Sequence, residues 1–331
     1  AKDTEPPSAE RIMTPREISE TYTAATVQIL TESGSGTGVI VDVDEGIVVT
    51  NAHVITGAGT LKVGLVDGEV VAARVLGSAP CEDLAVLQLN EVSDSLVEVK
   101  IGSSQELASQ EVVTAIGFPL SFDISSTRDA VTSSGAVQAP DVEAEPDSAL
   151  PYYRSLIQHD ATINPGSSGG PLFNEKGELV GINALANTSL GDRVIQDQFY
   201  AISIDRSMQF IDRLRDGESI SDIGLSGFAF SEADISTAYE NGDEIQETML
   251  DEDMDGLIVD AVTINSPADK ASIFEADFIY AVNDVDVYNF ADLCEVLDSA
   301  SGSVLVEGLY LDKTDNHELF DAWSTEVFLD D

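Results

Sequence analysis

Asn164-Pro165-Gly166-Ser167-Ser168-Gly169-Gly170-Pro171 is a glycine-crowded turn holding a serine between two apolar, strand-like stretches. Such a turn lets a hydroxyl point outward while backbone N–H groups converge beside it, as a serine nucleophile with an oxyanion hole requires. Glycine suits it because a Cβ would block the approach of a substrate backbone. Alone, the run also fits an ordinary loop.

Two upstream segments favour chemistry. Val48-Val49-Thr50-Asn51-Ala52-His53-Val54-Ile55 sets a histidine at the end of an apolar strand, and Cys81-Glu82-Asp83-Leu84-Ala85-Val86-Leu87 sets an acid just before another. A lone histidine or a lone Asp there would read as packing or as a cap. The chain has only 3 histidines, so the order His53, Asp83, Ser168 is hard to attribute to chance. That order is one in which a base, its orienting acid and a nucleophile recur.

These phrases, with Gln158-His159-Asp160-Ala161-Thr162-Ile163-Asn164, Gly177-Glu178-Leu179-Val180-Gly181-Ile182-Asn183 and Tyr200-Ala201-Ile202-Ser203-Ile204, resemble the HtrA/Deg branch of the chymotrypsin-like serine proteases. The resemblance runs from about Thr23 to the C-terminus. It implies His53 as general base, Asp83 as its orienting partner and Ser168, selected by Gly-x-Ser-Gly-Gly, as nucleophile. Gly166 and Ser168 would supply the oxyanion N–H groups. Thr162 would stand at the floor of a substrate pocket with Ile163 and Asn183, without the acid that a Lys or Arg side chain would need. Ser167 fills a position where this family more often carries Asn, and where digestive relatives carry an Asp that pairs with a clipped N-terminus. Activation by clipping is therefore not expected.

The resemblance further implies an ATP-independent endopeptidase acting on unfolded proteins outside the cytoplasm, without cofactor or metal. It implies trimers formed through the protease domains, with switchable loops at Phe118–Ser134, Pro140–Arg154 and Ala184–Gln198. A short Thr31–Thr37 turn favours a simple trimer over larger cages. Two other function classes stay open: a peptide-binding scaffold with little proteolysis, and an acidic cation-binding protein.

The pattern along the chain supports that architecture. From Thr26 to Ile204, eleven short β-branched runs alternate with Gly, Asp and Ser turns, which reads as all-β. With the triad, two Greek-key barrels with the site between them are expected. Arg206–Arg215 has helical apolar spacing, and Asp216-Gly217-Glu218-Ser219 reads as a linker. Beyond it lies a smaller α/β region resembling a single PDZ domain. The expected division is an arm over 1–20, a protease domain over 21–215 and a PDZ-like domain over 216–331. Ile223-Gly224-Leu225 approximates the carboxylate-binding loop of such a domain, whose next strand would take a peptide edge-on. Ser272 and Ala276 replace its usual glycines, and Asp222 would disfavour an incoming carboxylate.

Composition sets the remaining bounds. At 331 residues, more than one core is expected. The net charge of −46, from 61 acids and 15 bases, is spread along the chain and reads as a solvated acidic surface suited to high salt. Nucleic acid would be repelled. No stretch has the apolar length of a transmembrane helix, so membrane association is not indicated. The polar N-terminus reads as a processed or trimmed end, compatible with a periplasmic or secreted protein. Cys81 and Cys294 fall in different expected domains and read as packing residues rather than a disulfide. Asp251-Glu252-Asp253-Met254-Asp255-Gly256 begins like a calcium loop, but Val262 stands where the bidentate Glu belongs. His159 lacks neighbouring ligands and reads as a packing residue, Gly34–Gly38 lacks the context of a nucleotide site, and Asn187-Thr188-Ser189 is a short sequon match.

Overall fold

Six strands close the first barrel: β1 (Thr26–Leu30), β2 (Ser35–Asp42), β3 (Ile47–Thr50), β4 (Leu61–Gly64), β5 (Val70–Ala79) and β6 (Leu84–Leu89), in the order β1-β2-β3-β6-β5-β4. The computed structural model describes residues 11–32, 34–119, 129–144, 148–186, 189–190, 193–194, 198–239, 241–312 and 318–329. Val27, Ile29, Ile40, Val48, Val63 and Leu87 fill the barrel interior. Branched side chains suit a pleated surface because their χ1 freedom is already small.

The second sheet holds β7 (Lys100–Ile101), β8 (Val112–Gly117), β9 (Val131–Ala144), β10 (Tyr153–His159), β11 (Pro171–Phe173), β12 (Glu178–Ala186) and β15 (Phe199–Ser203). Its order is β11-β8-β9-β10-β15-β12-β7, and a further β11–β12 pairing closes it. A two-stranded hairpin, β13 (Ser189–Leu190) and β14 (Arg193–Val194), projects between β12 and β15. The strands run further into the expected switch loops than anticipated: β9 begins at Val131 and continues to Ala144. Residues 120–128, 145–147 and parts of 187–197 lie outside the described residues.

Helix α1 (Pro15–Tyr22) starts at a capping box, in which the Thr14 hydroxyl accepts from Glu17 N–H and the Glu17 carboxylate accepts from Thr14 N–H. Tyr22 stacks on Phe173 at 4.7 Å. Helix α2 (Ile204–Arg215) buries Ile204, Ser207, Ile211 and Leu214, one face at helical spacing, against β5, β6 and β12. Together these elements seal the core between the barrels.

After α2 the chain turns at Gly217 (φ +95°) and enters a third sheet, ordered β16-β17-β18-β20-β21 with β19 beside β18. Its strands are β16 (Leu225–Ala229), β17 (Leu257–Val262), β18 (Phe278–Val282), β19 (Val285–Asp286), β20 (Ser303–Leu309) and β21 (Ala322–Phe328). Helices α3 (Gly242–Asp251), α4 (Pro267–Lys270) and α5 (Phe290–Ser299) accompany it, and α5 buries Leu293, Val296 and Leu297. This is the region expected to resemble a PDZ domain. Sequence patterning missed α3 and β21. In α3 only Gly242, Ile245 and Met249 are buried, so the apolar face that marks a helix is sparse. In β21 the inward positions Trp323, Thr325 and Val327 alternate with exposed ones, but Thr325 is polar and Val327 alone is fully buried, so the alternation is weak in the sequence.

One expectation is overturned. Cys81 and Cys294 form a disulfide, with Cα atoms 5.4 Å apart and a sequence separation of 213. Helix α5 packs on the Pro80–Glu82 turn, a contact between distant segments that no local pattern encodes.

Candidate active site

The single 3₁₀ turn Ala52–Val54 follows β3 and presents His53, while the Pro80–Glu82 turn before β6 presents Asp83. Asp83 takes a left-handed conformation (φ 52°, ψ 43°), uncommon for a residue with a side chain. The surroundings hold it there. Its carbonyl accepts from Asn51 Nδ2 at 2.9 Å, and its carboxylate accepts His53 N–H at 3.0 Å. His53 Nδ1 lies 3.0 and 2.9 Å from the two Asp83 oxygens. Asp83 is 1% exposed, whereas the His53 side chain is 35% exposed. An acid buried beneath a solvent-facing imidazole fixes the tautomer with Nδ1–H inward and Nε2 free to accept a proton.

The serine turn hangs from both barrels. Ser167 N–H donates to the Asn164 carbonyl at 2.8 Å, with Pro165 and Gly166 (φ +95°) at the centre, the form of a type II turn. Thr37 of β2 clamps this turn: its N–H donates to the Ser168 carbonyl at 2.9 Å and its hydroxyl to the Gly166 carbonyl at 2.7 Å. Gly169 (φ +84°) lies so close that an added Cβ would come within 2.1 Å of the Thr37 carbonyl. Among the described residues, neither the Gly166 nor the Ser168 N–H has a hydrogen-bond acceptor. The Ser168 hydroxyl donates to the Ala184 carbonyl at 3.2 Å rather than to His53.

Two contributors escaped sequence reasoning. Thr37 sits in an unremarkable glycine-rich strand. Tyr153 of β10 is 5% exposed, and its hydroxyl donates to Asp83 Oδ2 at 2.9 Å. Only the three-dimensional approach of β10 to the Asp83 turn reveals it.

Desolvation pulls the His53 imidazole toward neutrality, but the charge and hydrogen bond of Asp83 outweigh it and hold His53 above its ordinary value. If His53 is the base, it must be deprotonated, so the acid limb of activity is expected to have its midpoint above about 6.5. Tyr153→Phe removes a donor from the Asp83 carboxylate and leaves more of its charge to act on His53. The acid limb should then move to higher pH, with kcat/KM at neutral pH falling by up to about tenfold. An unchanged pH profile for a normally folded Tyr153→Phe protein would show that the hydroxyl serves packing alone.

The expected pocket residues separate. Thr162 is exposed, and its carbonyl accepts from the Ser133 hydroxyl at 2.6 Å. Ile163 is buried in the second-barrel core with Leu107, Val137 and Leu172. Asn183 is fully buried and donates to the Pro171 carbonyl at 3.0 Å. The Asp160 carboxylate is spent on Ala136 N–H (2.6 Å) and Gln138 Nε2 (2.8 Å). His159 is fully buried, and burial pushes its imidazole down to about 4, so it stays neutral near pH 7.

In the PDZ-like region, Ile223 and Leu225 are each 2% exposed. Gly224 N–H donates to Asp222 Oδ1 at 2.7 Å, so the loop already holds a carboxylate from its own chain. Desolvation pushes Asp222 up to about 6, against the hydrogen bonds from Gly224 and Ser78.

Residues 36–182 match the trypsin-like peptidase domain. The chain is similar to the HtrA/Deg serine proteases. It is 34% identical over 272 residues to the serine protease Do-like HtrA of Bacillus subtilis, covering 81% of this chain and 58% of that protein. It is 33% identical over 261 residues to a protein of a Marinomonas species named as a DegP-like periplasmic serine endoprotease, covering 79% and 50%. The chain thus spans little more than half the length of these relatives. The solved structure described as HtrA-type protease AlgW with tripeptide shares the fold, with a TM-score of 0.54 at 22% identity, over 95% of this chain and 96% of that one.

Proposed function

We propose that this chain is a serine endopeptidase that cleaves unfolded proteins without ATP. The observation that carries the reading is the His53–Asp83 pair, held by two hydrogen-bonded contacts from one histidine to one buried carboxylate. Thr37 clamps the Ser168 turn in the neighbouring barrel. On substrate binding, the Ser168 hydroxyl leaves the Ala184 carbonyl and turns to His53. Its oxygen attacks the scissile carbonyl as His53 Nε2 takes the proton. Asp83 stabilises the imidazolium, and the Gly166 and Ser168 N–H groups meet the oxyanion, each worth about 3 kcal/mol in the transition state. His53 returns the proton to the leaving amine, and water, deprotonated by the same base, releases the acyl group.

In this reading residues 21–215 form the protease domain and 216–331 the PDZ-like domain. Trimeric assembly and an extracytoplasmic location are part of it, the latter supported by the periplasmic designation of DegP-like relatives. A fluorophosphonate probe should label one residue, and peptide mapping should place the label on Ser168. Labelling of Ser167, or proteolysis by a protein the probe does not label, would overturn the assignment.

Substrate preference is part of the same reading. In this reading Thr162 stands at the pocket floor, and among the described residues the neighbouring Asp160 carboxylate is already bonded twice and so is not offered to a basic side chain. Cleavage of casein is expected after Val, Ala, Ile and similar residues. Fragment mass spectrometry showing a majority of cuts after Lys or Arg would rule this out.

A further inference from the structure

Phe290, Cys294 and Asp298 lie at i, i+4 and i+8 on α5 and therefore share one face of the helix. All three meet the protease domain or the chain leading from it. Phe290 N–H donates to the Ser148 carbonyl at 3.1 Å, and Cys294 is bonded to Cys81. Asp298 accepts from the Ser221 hydroxyl at 2.7 Å and faces Arg154 at 3.7 Å.

Among the described residues, β16 beside this helix is the edge of its sheet and pairs on one side only, with β17. An unpaired edge beside a helix, ending in a loop with a free backbone N–H, is the form that takes an added peptide strand. Here the end of that groove is filled from within the chain. Cys81 belongs to the same buried cluster as Ile223, Leu225, Phe290 and Leu297, which fills the place where the last side chain of a peptide would sit. Asp222 places its carboxylate on Gly224 N–H, where a peptide terminus would sit. Both requirements of a C-terminal residue, an apolar side chain and a carboxylate, are thus supplied in cis.

The other ties across this junction are slight. Gly57 N–H donates to the Thr263 hydroxyl at 3.0 Å, Ile220 N–H donates to the Ser78 carbonyl at 2.8 Å, and the Arg154–Asp298 pair is exposed. An exposed ion pair contributes little. A cavity of about 690 Å3, lined by Ile55, Val75, Asp222, Gly224 and Ile264, separates the two domains alongside them. The covalent bond is the strongest link holding the groove against the Pro80–Glu82 turn.

We propose that the β16–α5 groove is a peptide C-terminus site occupied by the chain's own Cys81 turn and Asp222, and that a dithiol reductant opens it. One thiolate of the dithiol attacks a cystine sulfur, forming a mixed disulfide and releasing the first cysteine. The second thiol resolves it, so two electrons and two protons pass to Cys81 and Cys294 and the reductant leaves as a disulfide. With the bond broken, Cys81 withdraws and Asp222 follows the freed segment into solvent. The inference rests on the PDZ-like reading of residues 216–331, and peptide binding to the Ser168→Ala chain tests it without requiring catalysis.

The test uses the full chain carrying Ser168→Ala, so that the probe is not cleaved. The probe is a fluorescein-labelled decapeptide ending in Ala-Val-Leu with a free carboxylate, followed by fluorescence anisotropy. The dithiothreitol-treated chain and the Cys81→Ser/Cys294→Ser chain should bind it at least about tenfold more tightly than the oxidised chain, as expected when a competing internal occupant is removed. The C-terminally amidated peptide should lose that gain. Equal binding by oxidised and reduced chains would overturn the proposal, as would no binding by the reduced chain. The dithiothreitol arm stands even where the double variant misfolds, and fluorophosphonate labelling reports separately on the protease reading.

Discussion

Ser168→Ala is expected to lower kcat on unfolded casein by about 10⁴- to 10⁶-fold while leaving the thermal midpoint within a few degrees of the parent protein. Among the described residues the hydroxyl makes one hydrogen bond, at 3.2 Å to the Ala184 carbonyl, so little packing or bonding is lost. The backbone of the turn is held elsewhere, by Thr37 N–H on the Ser168 carbonyl and by Gly169 N–H on the Asn183 carbonyl at 2.7 Å. Ser167→Ala should retain activity within a few-fold, because what that residue supplies to the turn is its backbone N–H. Initial rates and melting curves on both variants check this. An exchange of the two phenotypes would move the nucleophile to Ser167.

Raising KCl or NaCl from millimolar to molar is expected to raise the thermal midpoint by ten degrees or more, the equivalent of several kcal/mol, and to raise activity with it. Several of the described bases already have acidic partners: Arg206 with Glu82, Lys100 with Glu178, and Arg215 with both Asp42 (2.7 Å) and Glu45 (2.8 Å). With 61 acids and 15 bases, most carboxylates have no counter-charge in the chain. Their repulsion reaches about 8 Å at physiological ionic strength and about 3 Å at 1 M. A midpoint flat across that range would show that the acidic surface is no adaptation to salt, and would favour binding of cations or basic partners.

Acid should mimic salt for stability but not for activity. Asp222 has a folded value near 6, above its unfolded value, so its contribution grows as pH falls through 6 and is complete below about 3.8. His159 has a folded value near 4, below its unfolded value, so its contribution is full above about 6.5 and is lost as pH falls toward 4. Each amounts to about 3 kcal/mol and the two oppose one another, leaving relief of surface repulsion as the net effect. Activity follows His53 instead and falls as that imidazole, raised by Asp83, takes up a proton.

The amino-acid sequence by itself determined the order of the three catalytic candidates, the short β-branched strands and the helix over Arg206–Arg215 that follows them. Each of these is a local statement. A Gly-x-Ser-Gly-Gly turn, a histidine after Val48-Val49 and the buried face of α2 all repeat within a few residues. Tertiary structure alone decided what supports and covers them. Tyr153 reaches Asp83 across 70 residues, Thr37 reaches Gly166 across 129, and Cys81 meets Cys294 across 213. Asp222 filling its own loop was legible only as an unfavourable neighbour of a carboxylate, not as the occupant. The physical reason is the same throughout. Secondary structure and turn chemistry follow from neighbouring side chains, whereas hydrogen bonds and disulfides between barrels and domains depend on how distant segments pack, which no spacing in the chain records.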